Sequence, residues 1–243
     1  AASDENLILV AGGGSITFEG TVGAGANPLG SVTVTSASNF DAKNTFTAAL
    51  FDQNAGSGTT TFSGALTTTD ALGVDIVGTN AAFQSTVTTS NGGVIGLELS
   101  GTADFAGAVT STTATIDNAG TLTLGADADF DLTGTFTQTG AGAVVIGSNI
   151  DTDQSAISIA GDITLTESVE LDTRQNQNSG AAITLSGTVD GSVANTQNLA
   201  LIVDDSTVTI SGNAGSGVAL GDFSINNAPS AAATQVDLAS VTA

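Results

Sequence analysis

The chain contains no cysteine, histidine, methionine, tryptophan or tyrosine, and its only basic residues are Lys43 and Arg174. Each absence removes a class of chemistry. Without imidazole or thiol, zinc, haem and iron–sulfur centres lack their usual ligands. Serine–histidine and cysteine–histidine nucleophiles cannot be assembled either. Two bases against 24 acids leave a net charge of −22 over 243 residues, so nucleic acid is not an expected partner: phosphates need clustered Lys and Arg. No stretch of 18 apolar residues exists to form a transmembrane helix. The Tyr and Trp girdles of an outer-membrane barrel are missing as well.

What remains is a β composition. Charged residues are only 11% of the chain and hydrophobic residues 40%, which separates it from disordered polyanions. Thr and Val favour pleated, half-buried surfaces, while Asn and the 31 glycines favour tight turns.

Phenylalanine supplies a ruler. Phe18, Phe40, Phe62, Phe83, Phe105 and Phe130 follow one another at spacings of 22, 22, 21, 22 and 25. Around each, every second residue is small or apolar: Ile16, Val22, Ala42, Leu66, Ala81, Val87, Ala103 and Val109 among them. The intervening positions are mostly polar, such as Thr17, Glu19, Asp41, Lys43, Gln84 and Asp104. That is the period of a strand with one buried face. Aliphatic pairs and Gly- or Asn-bearing corners such as Asn91-Gly92-Gly93 complete each unit.

Two or three short strands per roughly 22 residues describe one coil of a parallel β-helix, or β-solenoid, with the six Phe stacked as a core ladder. Eleven coils would make a rod about 50 Å long at about 4.8 Å per coil. Regular short strands also fit a β-sandwich, which is the alternative fold. The chain reads as one domain, 1–243, with regular coils over 1–150 and looser ones over 151–243. A polar stretch from Asp172 to Gly180 is expected to project as a loop.

The longest internal match joins the two ends. Asn6-Leu7-Ile8-Leu9 aligns with Asn198-Leu199-Ala200-Leu201, Ile16 with Val208 and Phe18 with Ile210. Repeat rods carry polar caps, yet Leu7 to Val10 is apolar and Val236 to Ala243 stops like an interrupted coil. The expected self-assembly surface is therefore Leu7, Ile8, Leu9, Val10, Leu238 and Val241, with copies joined head to tail into a homopolymer. A start at Ala1-Ala2-Ser3 fits a mature chain whose export signal has been removed, or a piece of something longer.

Gly161-Asp162-Ile163-Thr164-Leu165-Thr166 and Ala182-Ile183-Thr184-Leu185-Ser186-Gly187-Thr188-Val189-Asp190-Gly191 resemble repeats of large bacterial surface proteins. Asn6 to Val34 has the same look. These are the β-helical adhesins related to filamentous haemagglutinin and autotransporter passengers. The resemblance implies an extracellular or cell-surface location, a structural or adhesive role, and cell-surface or matrix components as partners. It brings no catalytic residues. The expectation is a structural filament subunit, with a segment of a larger adhesin as the alternative.

Carboxylates are the one side-chain chemistry in supply. Asp127, Asp129 and Asp131 alternate with Ala128, Phe130 and Leu132, so a strand would set them on one outer face about 7 Å apart. That spacing fits paired carboxylates of an inverting glycosidase. The lack of Trp and Tyr platforms and the repulsion of acidic sugars by the net charge make an enzyme the remote reading. Calcium suits these oxygens better, and the candidate ligands are Asp127, Asp129, Asp131, Asp151 and Asp153, with Asp204 and Asp205 further along. No cofactor is required by anything in the chain.

Overall fold

A computed structural model describes residues 5–23, 28–175, 177, 179–226 and 236–241. They form 28 strands in one continuous sheet that winds into a β-solenoid of about 10 turns. Every recorded pairing joins strands a coil apart, in parallel, as between Ile95–Leu99 and Ala114–Asn118. Parallel pairing throughout excludes the sandwich, whose hairpins are antiparallel. The turn count falls short of eleven because coils lengthen in the second half. The insertion between Val169–Asp172 and Ile183–Leu185 takes up residues without adding a rung.

Each coil has three faces, here named A, B and C in chain order. Face A stacks Leu9, Val34, Gln53, Ile76, Leu97, Ile116, Gln138, Ile159, Leu185 and Ile210 in one inward column. Face B stacks Phe18, Ala42, Phe62, Phe83, Phe105, Leu124, Ile146 and Leu165. Face C stacks Val22, Phe46, Leu66, Val87, Val109, Phe130, Ile150, Leu171, Leu201 and Ile225.

The columns redraw the aromatic ladder. Phe62, Phe83 and Phe105 share one slot, and their rings stack with centroids 5.7 and 4.7 Å apart. Phe18 also lies in that column, but Phe40 occupies the neighbouring inward slot, in register with Ile16 and Thr60, and Ala42 takes the phenylalanine position. The exchange of large and small keeps the layer filled. The Phe40 ring reaches Phe51 at 4.9 Å and Phe62 at 5.4 Å. Phe130 belongs to face C, between Val109 and Ile150, and meets the ladder only through the interior, 5.1 Å from Phe105. A spacing of 25 carried it onto the next face. Beyond Phe136 the buried hydrophobic side chains are all aliphatic among the described residues, from Val144 to Leu220.

The end-to-end sequence match is likewise displaced by one face. Leu7–Val10 lies on A while its counterpart Leu199–Ile202 lies on C. Ile16–Phe18 lies on B while Val208–Ala214 begins on A. The repeating sequence unit is thus a strand and its corner, not a whole coil.

Corners are tightest between faces A and B. Gly101, Gly120, Gly142, Gly161, Gly187 and Gly212 follow one another up this edge, and a Cβ on each of the last five would overlap the backbone of the glycine one coil below. Several inward polar side chains are satisfied internally, although among the described residues Thr68 Oγ1 is buried without a hydrogen-bond partner. Gln138 Nε2 donates to Asn118 Oδ1 at 2.9 Å, and its Oε1 accepts from the Ala160 and Gly161 amides at 3.0 and 2.9 Å.

Candidate functional site

Face C turns three acidic residues outward in one column. In Phe130–Leu132, Ile150–Thr152 and Val169–Asp172 the middle or last outward position is Asp131, Asp151 and Asp172, paired in register on successive coils. Strand spacing sets their backbones about 4.8 Å apart, where like charges oppose one another. A second outward column is built from hydrogen bonds. The Asn149 amide donates to Asp129 Oδ1 and the Glu170 amide to Asn149 Oδ1, both at 2.9 Å. This places Glu170 beside the first column. Carboxylate oxygens of Asp151, Glu170 and Asp172 lie within 4.8 Å of one another.

Asp151 feels this most. Partial burial, then the charges of Asp172, Glu170, Asp129 and Asp131, push its pKa up to about 6. A carboxyl with that value exchanges its proton near neutrality.

The polar insertion starts over this ladder. The Arg174 amide donates to Asp172 Oδ1 at 2.7 Å, and Arg174 Nε lies 3.6 Å from the same oxygen. Gln175, with φ of 42°, turns its Nε2 back to donate to Asp131 Oδ1 two coils below. Thr173 ties down the base: its Oγ1 donates to the carbonyls of Ala181 and Ile202 at 2.9 and 3.1 Å. The described start of the insertion therefore folds along the rod instead of projecting from it.

Of the calcium candidates, Asp151 stands at the centre of the cluster, with Asp129 and Asp131 one coil below it. Asp127 sits in the turn before Phe130–Leu132, and Asp153 follows Thr152, its carbonyl accepting Ser155 Oγ at 3.0 Å. Neither belongs to the group of converging oxygens, nor do Asp204 and Asp205. Glu170 and Asp172 do, and sequence reading passed over them. The signal that would have found them is the coil period itself: Asp131, Asp151 and Asp172 are each one coil from the next. Acids gathered across coils, not along one strand, form the cluster. Such an array can share protons or hold a hard cation through oxygen ligands.

The expected assembly residues lie at opposite ends of the solenoid. Leu7–Val10 pairs with Leu29–Ser36 on face A, and Val236–Val241 pairs with Val208–Ala214, beginning on face A and ending on face B. Among the described residues each has one paired edge. Leu7 and Leu9 pack partly buried against the core, whereas Ile8 and Val10 are 71% and 70% exposed. Leu238 pairs with Ile210 and Val241 with Ala214. The chain matches no protein-family model, no curated protein and no solved structure.

Proposed function

We propose that this chain is an extracellular structural protein that lengthens by stacking coil on coil, head to tail, into a filament. The observation that carries the reading is that the first and last strands on face A are each paired along one edge among the described residues. Leu7–Val10 begins the ladder and Val236–Val241 ends it, in the same strand direction. A second copy displaced along the axis would add its Leu7–Val10 to that last strand as one more parallel rung. Strand edges with unpaired amides and carbonyls favour such addition. The joint would continue the column of Leu9 and Ile210, so apolar burial would accompany the hydrogen bonds. A translational contact of this kind does not close on itself and yields fibres.

Sedimentation velocity and electron microscopy over a hundredfold concentration range test this. Fibres with an axial repeat near 50 Å are expected, since about ten rungs at about 4.8 Å make one copy. Leu9→Asp, which would set a carboxylate in the joint, is expected to leave the circular dichroism unchanged and abolish the fibres. A chain that stays monomeric at every concentration overturns the reading and favours a segment of a longer adhesin.

A further inference from the structure

The flank of the rod carries a cleft unrelated to the carboxylate ladder or to the end strands. It lies on the outer side of face A, has a volume of about 560 Å³, and is lined by Thr33, Leu50, Asp52, Leu72, Asp75 and Gly96. The register explains its shape. Thr33, Asp52, Asp75 and Gly96 occupy one outward column on four successive coils. Glycine continues that column without a side chain, and the Asp75 carboxylate lies over it: a Cβ there would stand 3.3 Å from Asp75 Oδ1.

Two properties of the cleft stand out. Its walls are apolar where the surrounding surface is polar. Leu50 and Leu72 line it, and Leu72 is 66% exposed. Its floor holds two carboxylates facing each other across one strand spacing, with no cation of the chain to answer them. Lys43 is bound to Glu19 at 2.7 Å and Arg174 lies against Asp172. Partial desolvation, then Asp52 and Glu98, raise the pKa of Asp75, as expected of a charge lacking a partner.

The geometry points to this cleft as a docking site for a lysine side chain of a partner protein, its ammonium between Asp52 and Asp75 and its methylene stem along Leu50 and Leu72. A bare metal ion would leave the apolar walls unused, whereas a lysine stem covers them while its head keeps the charge. A second copy of the chain is a poor source of the cation, because its one lysine, Lys43, stands between Ala42 and Asn44 and its one arginine, Arg174, between Thr173 and Gln175, so neither is flanked on both sides by the apolar residues that would cover the walls. The partner is therefore a different protein, one that presents lysine between apolar residues. The proposal concerns the flank and stands independently of end-to-end assembly.

Titration calorimetry with a leucine-lysine-leucine peptide, blocked at both ends, tests it on the full chain. Saturable binding at one site per chain is expected, at least tenfold tighter than that of the norleucine-for-lysine peptide. Asp75→Asn and Leu72→Ser should each weaken binding at least fivefold, while Asp104→Asn, an exposed acid on face B, should leave it unchanged. Circular dichroism checks that each variant is folded. Absence of saturable binding overturns the proposal. So does an equal loss in Asp104→Asn, which would mean diffuse attraction to a polyanion. Equal affinity for the norleucine peptide would overturn the role of the ammonium. Spermine binding as tightly as the peptide, with the same dependence on Asp75 and Leu72, would overturn the protein partner in favour of a free polyamine.

Discussion

Asp151 lies in register beneath Asp172, one coil apart on the outer surface of face C, with the Glu170 carboxylate close to both. Three like charges converge there with a single guanidinium, Arg174, at the rim. The consequences for stability follow from which state binds protons more tightly.

Asp151 makes the rod more stable in mild acid. Its folded pKa of about 6 lies above the ordinary value of 3.8. Between those values the folded chain therefore holds more protons than the unfolded one. Stability is greatest at the acid end of this window and falls as pH rises through about 6. Because Asp151 is only half-buried, solvent screening reduces the loss to about 1–2 kcal/mol. Asp75 adds a contribution of the same sign. Urea unfolding at pH 4.5 and 7.5 measures the difference. Asp151→Asn should be more stable than the parent at pH 7.5 and show a flatter profile.

The same repulsion makes the cluster responsive to hard cations. With Asp151, Glu170 and Asp172 within 4.8 Å, millimolar calcium at pH 7.5 should raise the thermal midpoint by neutralising them. Asp151→Asn should lose most of that increment. An increment equal in both proteins would mean that calcium acts on the net charge of −22 as a whole.

Phe83 stands between Phe62 and Phe105 with essentially no exposure. Phe83→Ala should cost about 3–5 kcal/mol, read as a lower urea midpoint, because the flanking coils cannot collapse into the space. The pair at Phe40 and Ala42 offers a sharper test. Phe40→Ala leaves a cavity and Ala42→Phe overfills a slot, but the double variant restores one straight phenylalanine column. Its loss should be smaller than the sum of the two single losses.

Gly142→Ala should be among the most damaging small changes. The added methyl would overlap the Gly120 carbonyl oxygen one coil below, so two coils must separate at that corner. A loss of more than about 2 kcal/mol is expected, against little for Gly13→Ala, where a Cβ meets nothing within 4 Å.

The solenoid was legible because its strands alternate with period 2 and its coils recur near 22 residues. Alternation correctly turned Asp129 and Asp131 outward and Phe130 inward. Register was harder to read. A strand repeats its look on every face, so Ile163-Thr164-Leu165 on B and Ile183-Thr184-Leu185 on A appear equivalent although they occupy different ladders. For the same reason the spacings that linked Phe105 to Phe130 crossed from one face to another. Asp172 and Glu170 escaped notice because acids adjacent in space lie a coil apart in sequence. The glycine column was visible only as scattered corner residues until stacking brought each onto the one below.

Because the strands run across the rod, the hydrogen bonds between coils point along its length. Three ladders act side by side at each coil-to-coil junction, while the junctions themselves are arranged one after another. Under tension such a rod is as strong as its weakest junction, and it yields from an end by peeling. Each coil of about 22 residues would release roughly 70 Å of extended chain. Pulled between two attachments, the protein would behave as a reel that pays out in equal steps and dissipates force with each one.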